Sequence, residues 1–297
     1  MPELPEVENA VRALHAAGLP GQRILSIQVY WRSIVAGTPP AVLRQRLLKR
    51  KLLDITRRGK FILFHFSGGE TVLIHLRMTG QFALQAPHTP RDQHTHLTLQ
   101  LSGGQELRYR DARKFGRWQV TRAPQAILQR LGPEPLAKAF TLSVFAQRLN
   151  GRRRMLKTLL LDQAFLAGLG NIYADEALWL AGLHPQRRAD TLTPPETLAL
   201  YRAIRQTLRR GIRHGGTTLG RGAGHYASLN SRRGRHQDYL RVYRRSGQAC
   251  ERCQTPIRRV IIGQRSTHFC PTCQRLERRG PHQRTISKKI KSCLSSI

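Results

Sequence analysis

The chain has 297 residues, 40% of them hydrophobic, which is long enough for two domains and too long for a bare DNA-binding module. Fifty-one lysines and arginines against 17 acids leave a net charge of +34, which points to a polyanionic partner, either nucleic acid or an anionic membrane. Nine of the cations are lysine and 42 are arginine, and arginine adds bidentate phosphate contacts and base stacking, so nucleic acid is favoured over membrane.

In chain order, residues 2 to 17 (PELPEVENAVRALHAA) place Val7, Val11 and Leu14 at helical spacing, and Gly18 is a plausible stop. From about Ile24 to Thr121 the pattern changes to short apolar alternations (ILSIQVYW, KFILFHF, TVLIHL, HLTLQL, ELRYR, GRWQV) broken by Gly68-Gly69 and Gly103-Gly104, which predicts a β-sandwich or barrel. The run Leu131-Gly132-Pro133-Glu134-Pro135-Leu136 suits a domain boundary, and the signal is then helical to about residue 211. Within that region Thr193-Pro194-Pro195-Glu196 predicts a helix start, with Leu198, Tyr201, Ile204 and Leu208 on one face and Gly211 as its end. Residues 215 to 237, rich in Gly and Arg without periodicity, read as a mobile loop on the basic face, and the basic segment after residue 274 reads as a disordered tail. There are no internal repeats. No run of about 18 apolar residues occurs and no basic leader precedes an apolar core, so the expectation is an intracellular protein with no membrane span.

Cys250, Cys253, Cys270 and Cys273 form C-x2-C-x16-C-x2-C, two knuckles separated by a 16-residue arm. In a reducing compartment this spacing predicts a closed tetrahedral four-thiolate site for one structural Zn2+. The intervening PIRRVIIGQRSTHF reads as a hairpin turning near Gly263-Gln264, with Arg265 just beyond the tip. Cys293 has no partner in the pattern.

The N-terminus is unusual because Glu3, Glu6 and Glu8 all fall within eight residues of a very basic chain. Acids in a first helical turn ordinarily complement the helix dipole. Pro2 suggests more, since removal of Met1 would leave a free secondary amine at a helix start. An α-amine titrates well below a lysine, so its neutral form can attack a carbonyl-like carbon to give a Schiff base while Glu3 shuttles protons, which is lyase chemistry.

The opening MPELPEVE, then HLRMTG, ARKFG, GLGNIYADEALW and the four-cysteine module, in this order, resemble the bacterial formamidopyrimidine-DNA glycosylases, bifunctional enzymes of base-excision repair for oxidised purines. The match runs to Cys273, and Leu4 stands where the related endonuclease VIII branch typically has Gly. The resemblance implies an α+β fold: a catalytic β-sandwich domain over residues 1–131, a helix-two-turn-helix domain over 132–215, a lesion-capping loop and linker over 216–244, a zinc finger over 245–274 and a tail over 275–297. It also implies that Pro2 attacks C1′ of the damaged nucleoside, with Glu3 as proton donor, Lys60 as proton donor for β-elimination from a β-strand, Arg265 as phosphate contact and proton donor for δ-elimination, and Glu6 in support. Met78, Arg113 and Phe115 match the trio that fills the void left by the flipped base, a step that costs a few kcal/mol. Ala112 replaces the usual proline beside that trio. His94 and Lys157 match DNA contacts. Gly168 and Gly170 are expected to admit a phosphate, and Asn171 to cap a helix whose amides form an anion site. The implied partner is damaged double-stranded DNA bound by a monomer in the bacterial cytoplasm, at the nucleoid.

Two other readings compete. An endonuclease VIII-type glycosylase for oxidised pyrimidines is disfavoured by Leu4 and the complete Met78, Arg113, Phe115 trio. A non-catalytic, zinc-containing nucleic-acid-binding protein leaves Pro2, Glu3 and Lys60 without a purpose.

Overall fold

The opening helix α1 (Leu4–Ala16) follows directly from its apolar spacing, and it is shared between two cores. Leu4 packs with the helical half of the protein, whereas Val7, Ala10, Val11 and Leu14 pack with the strands. Its first turn is closed by the Glu3 amide, which donates to Glu6 Oε2 at 2.8 Å. The structure, a computed structural model, describes residues 1–220 and 225–276; Cys293 and nearly all of the predicted tail lie outside them. Among the described residues no helix is long and apolar enough to cross a membrane.

The strands form two four-stranded antiparallel sheets, the sandwich that the sequence predicts. In chain order the elements are β1 (Ile24–Val29), α2 (Pro40–Leu47), β2 (Leu52–Arg58), β3 (Phe61–Phe66), β4 (Thr71–His75), β5 (Gln81–Gln85), β6 (Thr95–Leu101), β7 (Glu106–Arg110) and β8 (Arg117–Thr121). One sheet has the order β1-β6-β7-β5 and the other β2-β3-β4-β8. Phe64, Phe82, Tyr109 and Trp118 meet between them, with edge-to-face pairs such as Tyr109–Trp118 at 5.5 Å between ring centroids. The short α2 had no signal in the sequence reading, because it buries only Leu43 and Leu47.

Beyond α3 (Gln125–Leu128), the helices α4 (Leu142–Leu149), α5 (Leu156–Leu161), α6 (Asn171–Ala181) and α7 (Pro194–Arg213) build a second core around Phe140, Phe145, Leu160, Tyr173, Leu200 and Leu208. The predicted start of α7 holds: the Thr193 amide donates to Glu196 Oε2 at 2.8 Å, and proline occupies the first turn. Its predicted end does not. Gly211 lies inside α7 and is glycine for packing, since a Cβ there would lie 2.5 Å from the Tyr173 ring. A third, small core of Trp179, Val242, Ile257, Cys250 and Cys270 supports the cysteine hairpin of β9 (Arg258–Ile262) and β10 (Arg265–Phe269). That hairpin turns at Gly263 and Gln264, both at positive φ, and Arg265 follows directly, as expected.

Candidate active site

The two larger cores leave between them a cleft of about 350 Å³. Pro2, Glu3, Lys60, Met78, Arg113, Asn171 and Arg265 all line it, although they are scattered over more than 260 residues of chain. The remaining predicted site residues stand elsewhere: Phe115 is exposed beside the cleft, Glu6 and Lys157 are buried behind it, and His94 is half-buried outside the lining.

The N-terminal strand of chain is fixed by backbone and side chain together. The Leu4 amide donates to Gly168 O at 2.9 Å, and the Glu3 carboxylate accepts from the Ile172 and Tyr173 amides at 2.9 and 3.3 Å. The helix start predicted to hold a DNA phosphate therefore holds an anion of the chain itself. Gly170, not Asn171, is the N-cap residue of α6. Asn171 is the first helical residue, and its amide group donates to Ser266 O at 2.8 Å, tying α6 to the zinc hairpin. The two glycines serve the same packing. A Cβ on Gly170 would lie 2.4 Å from Glu3 Cδ, and one on Gly168, at φ +90°, would lie 2.7 Å from Leu4 Cδ1, so the two glycines make room for Glu3 and Leu4.

Burial governs the charges here. Desolvation lowers the pKa of the terminal amine on Met1, opposed by Glu3 and Glu6 and aided by Lys60 and Arg244. Desolvation likewise lowers that of Lys60. Lys60 sits in the two-residue turn between β2 and β3, not within a strand as expected; the turn forms because Gly59 adopts φ +57°. Glu6 is pushed up to about 7, first by burial and then by Glu3. Its Oε1 accepts from Tyr173 Oη at 2.6 Å and from the Thr217 amide at 2.7 Å, and Tyr226 donates to its backbone carbonyl at 2.8 Å. Glu6 thus fastens two points, Thr217 and Tyr226, within the segment predicted to cap the lesion. The sequence does not single out Tyr173, Thr217 and Tyr226, because nothing local marks a hydroxyl or an amide as the partner of a residue 167 to 220 positions away.

Lys157 corrects the sequence reading most sharply. It is fully buried on α5, where its ammonium donates to Asp175 Oδ1 at 2.6 Å and to Asn171 O at 3.0 Å. Asp175 Oδ2 accepts the His268 amide at 2.9 Å and lies 3.1 Å from His268 Nδ1. The lysine expected on DNA instead locks α5, α6 and β10 together, and so positions Arg265.

The loops carrying the proposed void-filling residues are braced by Asp111, which is also buried. It accepts from the Thr79 hydroxyl, from the Arg113 amide at 3.3 Å and from the Gly116 amide at 2.7 Å. The Arg113 guanidinium lies 4.9 Å from the Phe115 ring centroid, with the intervening Lys114 at φ +57°. Asp111 also donates its own amide to His94 O at 2.9 Å.

The four cysteine sulfurs lie within 4.8 Å of one another, with Cys250–Cys273 at 3.8 Å and Cys253 at 3.4 Å from both Cys270 and Cys273. A tetrahedron of Zn–S bonds near 2.3 Å has edges of about 3.8 Å, so the set fits one zinc ion with no open position. Trp179 Nε1 donates toward Cys250 Sγ at 3.5 Å, a contact that orients the ligand.

Comparison with known proteins agrees along nearly the whole chain. Residues 1–118 match the model for the formamidopyrimidine-DNA glycosylase N-terminal domain, 131–221 that for the H2TH domain of the same enzymes, and 247–276 that for a zinc finger found in FPG and IleRS. The chain is 46% identical to formamidopyrimidine-DNA glycosylase of Herpetosiphon aurantiacus over 277 residues, covering 92% of this chain and 100% of that one. It is 42% identical to that of Protochlamydia amoebophila, covering 93% and 100%. Among solved structures it resembles a variant of Lactococcus lactis FPG bound to Fapy-dG-containing DNA (TM-score 0.86, 35% identity, 93% and 100% covered). It also resembles the complex of Lactococcus lactis Fpg with abasic-site DNA (TM-score 0.85, 35% identity, 92% and 100% covered).

Proposed function

The chain belongs to the formamidopyrimidine-DNA glycosylase family, and on that premise we propose that it excises oxidised purines from double-stranded DNA and then nicks the strand through an imine on its N-terminal proline. The observation that carries this reading is the convergence of Pro2, Glu3, Lys60, Met78, Arg113 and Arg265 on one cleft. With Met1 removed, the Pro2 nitrogen is a secondary amine where burial disfavours protonation. It attacks C1′, the glycosidic bond breaks, and the base leaves with a proton. Glu3 exchanges protons with the opening sugar to give the imine. Loss of the C2′ proton then expels the 3′ phosphate, with Lys60 in reach, and a second elimination expels the 5′ phosphate, with Arg265 in reach. Met78 and Phe115 replace the lost stacking, and the Arg113 guanidinium meets the orphaned cytosine.

In this reading residues 1–131 are the catalytic domain, 132–215 and 245–274 hold the duplex, 216–244 close over the lesion, and the protein works as a monomer on chromosomal DNA in the cytoplasm. The zinc ion holds the hairpin that presents Arg265, and takes no part in the chemistry. Borohydride trapping on matched duplexes with 8-oxoguanine or an oxidised pyrimidine tests the proposal. Trapping and cleavage faster on the purine duplex are expected; preference for the pyrimidine would favour the endonuclease VIII reading, and no trapping would leave only a DNA-binding protein.

A further inference from the structure

Arg244 is exposed at the rim of the cleft, where it lines the same space as Pro2, Lys60 and Arg265. Its backbone is left-handed, at φ +60°, a conformation open to glycine and resisted by any residue with a Cβ. The chain on either side is fixed by partners that Arg244 does not share. Before it, the buried Glu176 carboxylate accepts the amides of Arg241, Val242 and Tyr243, each at 2.9 Å. After it, Arg245 donates to Leu240 O at 3.2 Å and to Glu251 Oε1 at 2.7 Å. Glu251 also pairs with Arg241. Among the described residues Arg244 itself has no ion pair, although both of these neighbouring arginines have one.

A solvated surface arginine gains nothing from a strained backbone, whereas a strained residue over-determined by its surroundings is a mark of a functional position. The charge pattern of the cleft says what would be gained. Four cations line it, Lys60, Arg113, Arg244 and Arg265, against one acid, Glu3, whose carboxylate is already engaged by α6 amides. The ligand that balances such a lining is a phosphodiester.

We propose that Arg244 is a phosphate-binding residue of this chain, held beside Arg265 by the Glu176 cradle so that two guanidinium groups grip the DNA backbone next to the extruded nucleotide. The inference rests on the DNA glycosylase reading, and deepens it by adding a specific phosphate contact that neither composition nor motif spacing singled out. Its role is affinity and register, not proton transfer.

The test uses R244G and R244K in the full zinc-loaded chain, with a duplex carrying a tetrahydrofuran abasic analogue, titrated from 0.05 to 0.5 M salt. R244G accepts the left-handed backbone without strain, so its thermal midpoint should be equal to or above that of the unaltered protein. One counterion released into 0.1 M salt is worth about eightfold in affinity. R244G is therefore expected to bind about eightfold more weakly at 0.1 M, with the slope of log K against log salt reduced by about one unit. R244K keeps a charge and should retain the slope. An unchanged slope in R244G, or an equal loss in R244K, overturns the proposal, the second because it would assign the effect to the backbone. If the unaltered protein itself does not prefer the abasic duplex over intact DNA, the failure lies with the functional reading instead.

Discussion

Glu6→Gln probes how the buried acid behind the cleft couples pH to stability. Glu6 is 1% exposed, and its pKa is raised from 4.5 to about 7 by burial and by Glu3. Between these values the folded protein holds a proton that the unfolded chain has released, so this group makes stability fall as pH rises through the window, and its contribution is flat above about pH 7. Integrated from pH 5 to pH 8, the shift amounts to about 2.5 kcal/mol of lost stability. Glutamine does not titrate. Its carbonyl oxygen can still accept from Tyr173 Oη and the Thr217 amide, but its NH2 then faces the Glu3 amide, donor against donor, at the loss of one buried hydrogen bond worth about 1–3 kcal/mol. The variant should therefore be less stable than the unaltered protein at pH 5 and about equal to it at pH 8. Urea denaturation at half-unit pH intervals gives the difference curve, in which zinc loss and other titrations common to both proteins cancel. Parallel curves for the two proteins would refute the reasoning, because they would mean that Glu6 carries no displaced titration.

Three further outcomes are expected. Retention of Met1, verified by mass spectrometry, should abolish borohydride trapping because the Pro2 nitrogen remains an amide, while Pro2→Gly should slow trapping much more than it weakens DNA binding; full trapping with Met1 in place would exclude Pro2 as nucleophile. Lys157→Met leaves the Asp175 charge buried without its cation, so denaturation should show a loss of about 3–5 kcal/mol, whereas a variant as stable as the unaltered protein but with a shallower salt slope of DNA binding would restore the phosphate-contact role. Chelating the zinc should expose the amides of residues 250–273 to hydrogen exchange while both larger cores stay protected, and should abolish lesion-specific binding but not salt-sensitive nonspecific binding; protection of the hairpin without metal would refute this.

The features legible in the sequence are those whose cause is local. Alternation in ILSIQVYW and KFILFHF, the Thr193–Glu196 capping box and the Gly263-Gln264 turn each carry their structure within a few residues, and the structure holds all of them. The family motifs added the cleft, because they name residues that no periodicity could bring together. What escaped were pairings made across the chain. Lys157 looks like a solvated cation until Asp175, His268 and Asn171 close around it, and Gly211 looks like a helix stop until the Tyr173 ring presses against it. The α6 N-terminus shows the distinction best. The sequence marks its amides as an anion site, and the structure engages the Ile172 and Tyr173 amides with the carboxylate of Glu3, the N-cap residue of α1. Local chemistry specified the charge of the occupant, while the packing of two cores specified which one. Because the proposed proton donor hangs from one element and is oriented by the amides of another, its geometry exists only when α1 and α6 are docked. Gly168 and Gly170 are the residues that permit that docking, so a methyl group at either position would act on Glu3 without altering a single ionisable group.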